Sequence, residues 1–301
     1  MSDIQSLCLL GFGEVGTTLA TALIERQSTQ AIDKNCFDLK ARDADFVEAN
    51  RSLLSAVNLC VEPLAAVKDV DLVISAVTAE QDLTAARLIA DGLKPGAWFL
   101  DLNSVSPDTK KNVAEVIERA GGRYVEATIM SPIHPLGIES PILLGGPRAE
   151  GFLPLLQQLG FSGASFYSEQ LGKTAASKMC RSVMIKGLEA LLTESLLSAR
   201  FYGVEREVLN SLSNILPGID WNQQAAYMIS RSLEHGERRA EEMREAAVTV
   251  VGAGLLPRMS RATAETQQWT AQFGRQLATQ PLLSILDEIL TRHRNNNSSK
   301  C

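Results

Sequence analysis

The sequence predicts an α/β fold: a doubly wound, Rossmann-type parallel sheet over residues 1–170, followed by an all-helical domain over residues 171–294. Two observations lead to this prediction. From residue 6 to about residue 168, short β-rich runs alternate with helix-length segments, which is typical of a parallel sheet covered by helices. Beyond that point helical segments dominate. The last residues, 295–301, are polar and low in complexity, so we expect them to be disordered.

The predicted strands are short runs rich in β-branched and apolar residues. Two of them are nearly continuous in apolar residues, which indicates strands buried on both faces of a sheet. These two are "DLVISAV" and "WFLDLNS". The full set is "SLCLL", "CFDL", "DLVISAV", "WFLDLNS", "YVEATI" and "ILLGG".

One helix of the second domain is predicted to run from about Lys173 to Tyr202. At 1.5 Å of rise per residue, this helix has a length of about 45 Å. A helix of that length packs against more than one body, and we expect the two bodies to be the sheet domain and a second subunit. The sequence therefore predicts a homodimer.

The composition is that of a globular protein acting on small molecules. The chain has 301 residues, of which 45% are hydrophobic and 21% charged, with a net charge of -6. A net negative charge argues against a general nucleic-acid binder and against a protein bound to anionic membranes. A small-molecule substrate is the expected partner.

The N-terminal segment and the cysteines predict a cytoplasmic protein. The segment "MSDIQSLCLLGFG" has no basic leader, and its apolar run of about five residues is too short for a signal sequence or a membrane span. The five cysteines are scattered and never spaced as CxxC. We therefore expect reduced thiols and no metal site.

A glycine motif follows the first predicted strand and opens a helix, which is the context that a dinucleotide-binding turn requires. The first glycine permits the tight turn, the second lets a pyrophosphate approach the backbone, and the third lets helix and strand pack closely. The free N–H groups of the helix then face the phosphates. The motif consists of Gly11, Phe12, Gly13, Glu14, Val15 and Gly16. Further candidate cofactor contacts are Val77, Thr78 and Asn103.

Asp38 ends the second predicted strand, where an acidic side chain accepts hydrogen bonds from the adenosine ribose. Its carboxylate also repels a 2'-phosphate. Lys40 and Arg42 follow at once and could bind such a phosphate. The sequence therefore predicts NAD or NADP, with NAD slightly preferred.

Three motifs together resemble the β-hydroxyacid dehydrogenases, the group that includes 3-hydroxyisobutyrate and 6-phosphogluconate dehydrogenases. They are the glycine motif, "DLNSVSP" at 101–107 and "GKTAASK" at 172–178. The stretch "EHGERRAEEMREAAVTVVGAGLLPRMSRAT" is similar to a C-terminal domain of unknown function found in some NAD(P)-binding proteins of this superfamily. The resemblance implies a nicotinamide cofactor and a substrate held in a cleft between the two domains.

The resemblance also implies residues that hold the substrate. Asn103 and Ser104 stand where the family has serine and threonine, and both can donate hydrogen bonds to a carboxylate. The same stretch also fits a strand end followed by a helix cap at Ser106. Ser131 keeps the serine of a serine-glycine-glycine loop, whereas proline and isoleucine replace the glycines. His134, in the same loop, is either a substrate contact or an ordinary surface histidine.

Lys178 occupies the position at which the family carries its catalytic lysine. The asparagine pair expected after it is replaced by Arg181 and Ser182, and Ser182 is a candidate substrate contact. No acidic residue stands three or four positions after Lys178, so we expect a depressed pKa that suits proton transfer. Lys186, by contrast, has Glu189 three positions on, and we expect these two to pair as a structural ion pair.

These residues together predict an NAD(P)-dependent oxidoreductase. A hydride passes between the nicotinamide and a small hydroxy acid or related alcohol, with Lys178 as the acid/base. Two alternatives remain open at this point. One is imine reduction, which relatives on this fold perform with other residues in place of the lysine. The other is a nucleotide-binding sensor without turnover.

Overall fold

The computed structural model describes residues 4–26, 32–214 and 216–298. The chain forms two compact units, Met1–Met179 and Cys180–Cys301. The boundary falls inside the long helix, nine residues beyond the predicted end of the sheet domain at residue 170, because the first turns of this helix are bonded to the sheet.

The first unit is built on one sheet of eight strands in the order β3-β2-β1-β4-β5-β6-β7-β8. β1 to β6 are parallel; β7 pairs antiparallel with β6, and β8 pairs parallel with β7. The predicted doubly wound α/β fold is confirmed. The strands are β1 Ser6–Leu10, β2 Asp33–Phe37, β3 Asn58–Leu59, β4 Leu72–Ser75, β5 Trp98–Asp101, β6 Arg123–Ile129, β7 Ile142–Gly145 and β8 Ala164–Ser168.

The register of the parallel strands aligns their carboxyl ends. Phe37, Leu10, Ser75, Asp101 and Glu126 lie side by side across β2, β1, β4, β5 and β6. The first four are the last residues of their strands, whereas β6 continues for three residues beyond Glu126. The turns that follow β2, β1, β4 and β5 therefore lie along one edge of the sheet. Ligands of doubly wound sheets bind at this carboxyl edge.

Helices cover both faces of the sheet, and each face has its own core. In β1, Leu7 and Leu9 belong to one hydrophobic cluster and Cys8 and Leu10 to the other, as the alternation of a strand dictates. All four side chains are buried. The helices of this unit are α1 Glu14–Glu25, α2 Ala44–Ala49, α3 Arg51–Leu54, α4 Pro63–Val67, α5 Asp82–Ile89, α6 Pro107–Arg119 and α7 Ala149–Gln158.

The second unit is helical, as predicted. Its core contains Leu196, Ile229, Leu233, Ile285 and Ile289, all of them buried. The long helix has the predicted bounds. The helices are α8 Lys173–Tyr202, which begins in the first unit, α9 Glu205–Leu212, α10 Trp221–Gly252, α11 Arg258–Ala271 and α12 Leu282–Ser298.

The C-terminal segment differs in part from its prediction. α12 continues to Ser298, so residues 295–298, which we expected to be disordered, are helical. Residues 299–301 lie outside the described part of the chain. Within that part, no helix combines the length and the apolar character that crossing a membrane requires.

The four cysteines that the structure describes are free thiols, and two of them, Cys8 and Cys36, are core residues. Cys8 is completely buried, and burial raises the pKa of its thiol well above the ordinary value. Burial likewise raises the pKa of Cys36 to about 12. These two thiols stay protonated and serve as apolar filling of the sheet. Cys301 lies outside the described residues.

Candidate active site

Only glycine fits the first and last positions of the glycine loop between β1 and α1. Gly11 has φ of +92°, and a Cβ on it would lie 2.5 Å from the carbonyl oxygen of Ala76. A Cβ on Gly16 would lie 2.1 Å from the carbonyl oxygen of Gly11. These two glycines therefore let the turn after β1, the turn after β4 and the start of α1 pack together.

Gly13, the middle glycine, faces open space instead. Apart from its two neighbours in the chain, no heavy atom of a described residue lies within 4 Å of the place where its Cβ would be. Gly13 is also the N-cap of α1, and within the described residues no side chain caps this helix start. The first amides of an α-helix have no acceptor inside the helix, and the amide of Val15 is one of these in α1. This arrangement fits the pyrophosphate of a dinucleotide.

Asp38 lies at the end of β2, where the sequence predicted a ribose contact. Its Oδ2 accepts a hydrogen bond from the Phe12 amide (2.8 Å), and its Oδ1 accepts one from the Lys40 amide (2.9 Å). A carboxylate oxygen has room for a second donor, so a ribose hydroxyl can be added to these bonds. Asp38 therefore fixes the glycine loop and keeps acceptor capacity for a nucleotide.

The two basic residues near Asp38 differ in their surroundings. Arg42 pairs with Glu62, and both side chains are exposed. Lys40 is exposed as well. The guanidinium of Arg42 is thus already matched by a carboxylate of this chain.

Asn103 is buried and ties the ends of β4 and β5 together. Its Oδ1 accepts a hydrogen bond from the Val77 amide (2.7 Å). Its Nδ2 donates to Ser75 Oγ (2.9 Å) and to Asp82 Oδ1 (2.7 Å). These bonds use both hydrogens of the side-chain amide. A bond from Asn103 to a substrate carboxylate would therefore require the loss of one of them, and the visible role of Asn103 is to anchor the turn after β4.

Val77 and Thr78, in that anchored turn, lie at the carboxyl edge beside the glycine loop. Val77 is half-buried, and its Cγ1 would be 3.0 Å from a Cβ on Gly11. Thr78 is exposed. Ser104, the residue after Asn103, is half-buried at the end of β5. Their predicted contacts with a cofactor or substrate stay predictions, and their positions at one edge are compatible with them.

A fully buried polar cluster lies beneath Asn103. Asp101 Oδ1 is 2.7 Å from Lys110 Nζ and accepts a hydrogen bond from the Asn103 amide (2.9 Å). Asp101 Oδ2 accepts a hydrogen bond from the Tyr124 hydroxyl (2.7 Å). Burial, reinforced by the negative charge of Asp101, raises the pKa of Tyr124 well above its ordinary value, so the hydroxyl remains a donor.

Sequence reasoning missed this cluster. Lys110 was not singled out, although it lies on the apolar face of α6 with Val113, Ala114 and Ile117, at helical spacings of three, four and seven. A lysine on such a face is the available signal for a buried charge. At the start of the same helix, Ser106 accepts a hydrogen bond from the Thr109 amide, so the capping interpretation of Ser106 is confirmed.

The loop after β6 carries Ser131 and His134. Ser131 is half-buried, and its hydroxyl donates to the carbonyl of Pro132 (3.0 Å). His134 is exposed, and its Nε2 lies 3.3 Å from Thr18 Oγ1 on α1. The loop therefore reaches the helix that follows the glycine loop, which brings Ser131 to the carboxyl edge of the sheet.

Lys178 lies on α8 within the first unit. Gly172, the residue before this helix, lies against Pro107, because a Cβ on Gly172 would be 3.0 Å from Pro107 Cβ. Pro107 follows Ser104 by three residues and begins α6, so α8 also starts at the carboxyl edge of the sheet. Lys178, six residues after Gly172, is half-buried. It makes an interaction in the structure and is not an isolated cation, and the depressed pKa expected for it stays a prediction. In a folded chain, a lysine on a helix can also bind residues other than its helical neighbours at i+3 and i+4.

Ser182 and Lys186 belong to a buried ion-pair cluster of the second unit. Lys186 pairs with Glu242 of α10 and donates to Ser182 Oγ (3.1 Å). Glu189 pairs instead with Arg239, also of α10. The predicted pair of Lys186 with Glu189 is therefore wrong, because α10 provides a closer partner for each. Lys186 is a structural charge, and the predicted substrate contact of Ser182 stays a prediction.

Comparisons with known proteins agree with the two units. The family model "NAD binding domain of 6-phosphogluconate dehydrogenase" matches residues 6–132, and "Domain of unknown function (DUF1932)" matches residues 199–270. A solved structure of a conserved hypothetical protein from Sinorhizobium meliloti is 34% identical over 95% of this chain and 96% of its own, with a TM-score of 0.70. The chain belongs to the β-hydroxyacid dehydrogenase superfamily. Within this superfamily it has the C-terminal helical domain of unknown function, as the sequence predicted.

Two further structures are similar to this member of the superfamily. A conserved protein of unknown function, described as structurally similar to 3-hydroxyacid dehydrogenases, is 29% identical over 88% of this chain and 99% of its own, with a TM-score of 0.63. A 3-hydroxyisobutyrate dehydrogenase from Mycobacterium tuberculosis, solved with L-serine, shares the fold at 14% identity. The match covers 95% of this chain and 99% of the dehydrogenase chain, with a TM-score of 0.66.

The glycine loop predicts different effects for two alanine substitutions. Gly13→Ala adds a methyl group to open space, so we expect unchanged thermal stability and a loss of NADH affinity of at least about tenfold, or about 1.4 kcal/mol. Gly16→Ala inserts the methyl into the backbone of Gly11, and we expect a loss of stability of about 1 to 3 kcal/mol. Calorimetry measures the stability of the two variants, and fluorescence titration measures their NADH affinity. Equal NADH affinity of Gly13→Ala and wild type would contradict the pyrophosphate assignment.

The buried cluster predicts a large difference between two adjacent lysines. Lys110→Met leaves Asp101 buried without its counterion, so we expect the free energy of unfolding to fall by about 3 to 5 kcal/mol. Lys111→Met is the matched control, because Lys111 pairs with Asp108 at the surface and its loss costs about 1 kcal/mol or less. Urea unfolding measures both values. Similar losses in the free energy of unfolding of the two variants would show that the buried pair stabilises the fold no more than the surface pair does.

Proposed function

We propose that the protein is an NAD(P)-dependent oxidoreductase that transfers a hydride between the nicotinamide and a small hydroxy acid or related alcohol. The observation that carries the proposal is the open amide cradle at Gly13, with Asp38 on one side and the turn after β4 on the other. Membership in a superfamily of dehydrogenases and reductases supports the same reaction class.

The residues at the carboxyl edge would hold the cofactor in a defined order. The amides of Gly13 and of the first turn of α1 would bind the pyrophosphate, since those of Gly11 and Phe12 are bonded to Phe37 and Asp38. Asp38 accepts hydrogen bonds from the adenosine ribose, and Val77 and Thr78 line the path between ribose and nicotinamide. When bound, the cofactor supplies the hydride or accepts it. NAD is preferred, because the Asp38 carboxylate disfavours a 2'-phosphate and Arg42 is matched by Glu62.

The substrate would be handled by side chains around the start of α8. Ser104 and Ser131 orient its carboxylate, and Lys178 takes the hydroxyl proton during oxidation and returns it during reduction. Asn103 acts on the cofactor side by fixing Val77 rather than by donating to the substrate, since its amide hydrogens are in use. Pro132 replaces a glycine next to Ser131 and is exposed, which favours a substrate with some hydrocarbon beside its carboxylate. Ile133, by contrast, is buried in the core of the first unit.

We also propose that the protein is a homodimer associated through its second unit and that it works in the cytoplasm. Among the described residues, 15 large hydrophobic side chains are exposed in the second unit and 6 in the first. A cavity of about 560 Å³ between α8, α11 and α12, bordered by Tyr202, gives this surface a hollow that a second copy can fill. The free thiols suit a reducing compartment.

Lys178→Ala tests the acid/base assignment. The reaction needs a proton carrier at the substrate oxygen, so we expect kcat to fall by about 10² to 10⁴ while the Kd for NADH changes by less than about twofold. Lys173→Ala, which removes an exposed lysine from the same helix, is the matched control and should behave as wild type. The measurement is steady-state turnover of hydroxy acids, aldehydes and imines with NADH and NADPH.

The same screen separates the alternatives. Turnover of Lys178→Ala at a rate near that of wild type would exclude Lys178 as the acid/base. Tight cofactor binding by wild type with no turnover of any substrate would instead support the sensor. Preference for imines over hydroxy acids and aldehydes would support imine reduction.

Tyr202→Glu tests the dimer. Tyr202 is 76% exposed in the single chain, so a charge there leaves the fold intact but opposes association across an apolar surface. We expect light scattering coupled to gel filtration to give a dimer mass for wild type and a monomer mass for this variant. Tyr167→Glu, at a tyrosine of the first unit that is 49% exposed, is the control and should remain dimeric. A monomeric wild type would overturn the proposal.

A further inference from the structure

The start of α8 is bonded to one buried carboxylate of the sheet. Glu126, on β6, is completely buried. Its Oε2 accepts a hydrogen bond from the Gly172 amide (2.6 Å), and its Oε1 accepts bonds from Thr174 Oγ1 (2.6 Å) and from the Ala175 amide (2.8 Å). Three donors at one end of a helix thus converge on the two oxygens of one side chain.

These bonds explain how a carboxylate is tolerated at this depth. The first amides of a helix have no partners inside the helix, and the aligned peptide dipoles place partial positive charge there. Bonds from such amides to an ionised carboxylate are short and strong, as observed for Glu126. The helix end therefore compensates both the hydrogen-bonding capacity and the charge of this side chain.

The surrounding strands are shaped to admit the carboxylate. A Cβ on Gly145, the neighbour of Glu126 on β7, would lie 2.9 Å from Glu126 Oε2. A larger residue there would displace the side chain. From the other side, Thr128 Oγ1 donates to Thr174 Oγ1 (3.0 Å), which holds the hydroxyl of Thr174 in place to donate to Glu126. The carboxylate, the helix start and both strands form one rigid joint.

This joint fixes the position of Lys178. Lys178 follows Ala175 by three residues, less than one turn of a rigid helix, so any shift of the first turn moves its side chain as well. We propose that Glu126 is the positioning residue for Lys178: it sets where the amine lies along the carboxyl edge of the sheet. This inference rests on the proposed acid/base role of Lys178.

Glutamate is the one acidic or amide side chain that fits all three donors. In Glu126→Gln, one oxygen is replaced by an NH2 group, which would face the Gly172 amide or the pair formed by Thr174 and Ala175, and either arrangement sets donor against donor. In Glu126→Asp, the charge remains but the side chain is one methylene shorter. Thr174→Val removes one of the three bonds and leaves the charge unchanged.

The experiment compares Glu126→Gln and Thr174→Val with wild type in turnover, cofactor binding and hydrogen exchange. Misplacement of a reacting group by about 1 Å can reduce turnover by about 10². We therefore expect Glu126→Gln to lower kcat by about 10- to 100-fold and Thr174→Val by about three- to tenfold. The Kd for NADH should stay within about twofold of wild type in both, because the glycine loop is a separate element. Amides of the first turn of α8 should exchange faster.

The pH profile separates positioning from a general loss of stability. Glu126→Gln removes a negative charge near Lys178, so the ionisation that limits kcat should move to lower pH. Thr174→Val keeps that charge and should leave the profile in place while lowering kcat. Asp220→Ala is the control: Asp220 accepts a hydrogen bond from the Gln223 amide at the start of α10 (3.1 Å), in the second unit, and alanine removes this acceptor. Loss of this helix cap should leave kcat unchanged.

Two results would overturn the inference. The first is wild-type kcat in Glu126→Gln or in Thr174→Val despite faster amide exchange in α8. The second is an equal loss of kcat in Asp220→Ala, which would show that any weakened helix start has this effect. If Glu126→Gln does not fold, Thr174→Val alone decides. Failure of the proposed function is distinguishable, because in that case either wild type shows no turnover of any substrate or Lys178→Ala itself retains turnover.

Discussion

The buried ion pair of Asp101 and Lys110 is the constraint on which the cofactor edge depends. Two charges with no exposed surface are stable only when every remaining lone pair and proton is bonded. Asp101 meets this condition by also binding the Asn103 amide, which fixes the backbone at the end of β5. The side chain of Asn103 then holds the Val77 amide, and Val77 packs against the glycine loop. A continuous set of contacts thus connects the pair to the open cradle at Gly13.

The fold was largely predictable because its signals are local. Alternating runs and the glycine motif identified six of the eight strands and the long helix. The two strands that were missed explain the limit: β3, Asn58–Leu59, has two residues, and β8, Ala164–Ser168, lies at the edge of the sheet with alternate side chains exposed. Neither carries the apolar run by which a buried strand is recognised.

The site was predictable where its chemistry follows from neighbouring residues and not where it follows from distant ones. The roles of Gly11 and Gly16 derive from the turn itself, and their spacing in the sequence was sufficient. The partners of Lys186 and Asn103 come from residues 56 and 21 to 28 positions away. No helical spacing reveals such partners, so the sequence placed Lys186 with the wrong acid and treated Asn103 as a ligand.

The most direct test of the account is a crystal structure with NADH bound. The account places the pyrophosphate on the amides of Gly13 and the first turn of α1, the adenosine ribose on Asp38, and the nicotinamide C4 on the side facing Lys178. A nicotinamide ring that lies away from Lys178, with another side chain beside C4, would contradict the central claim that this lysine serves the reacting centre.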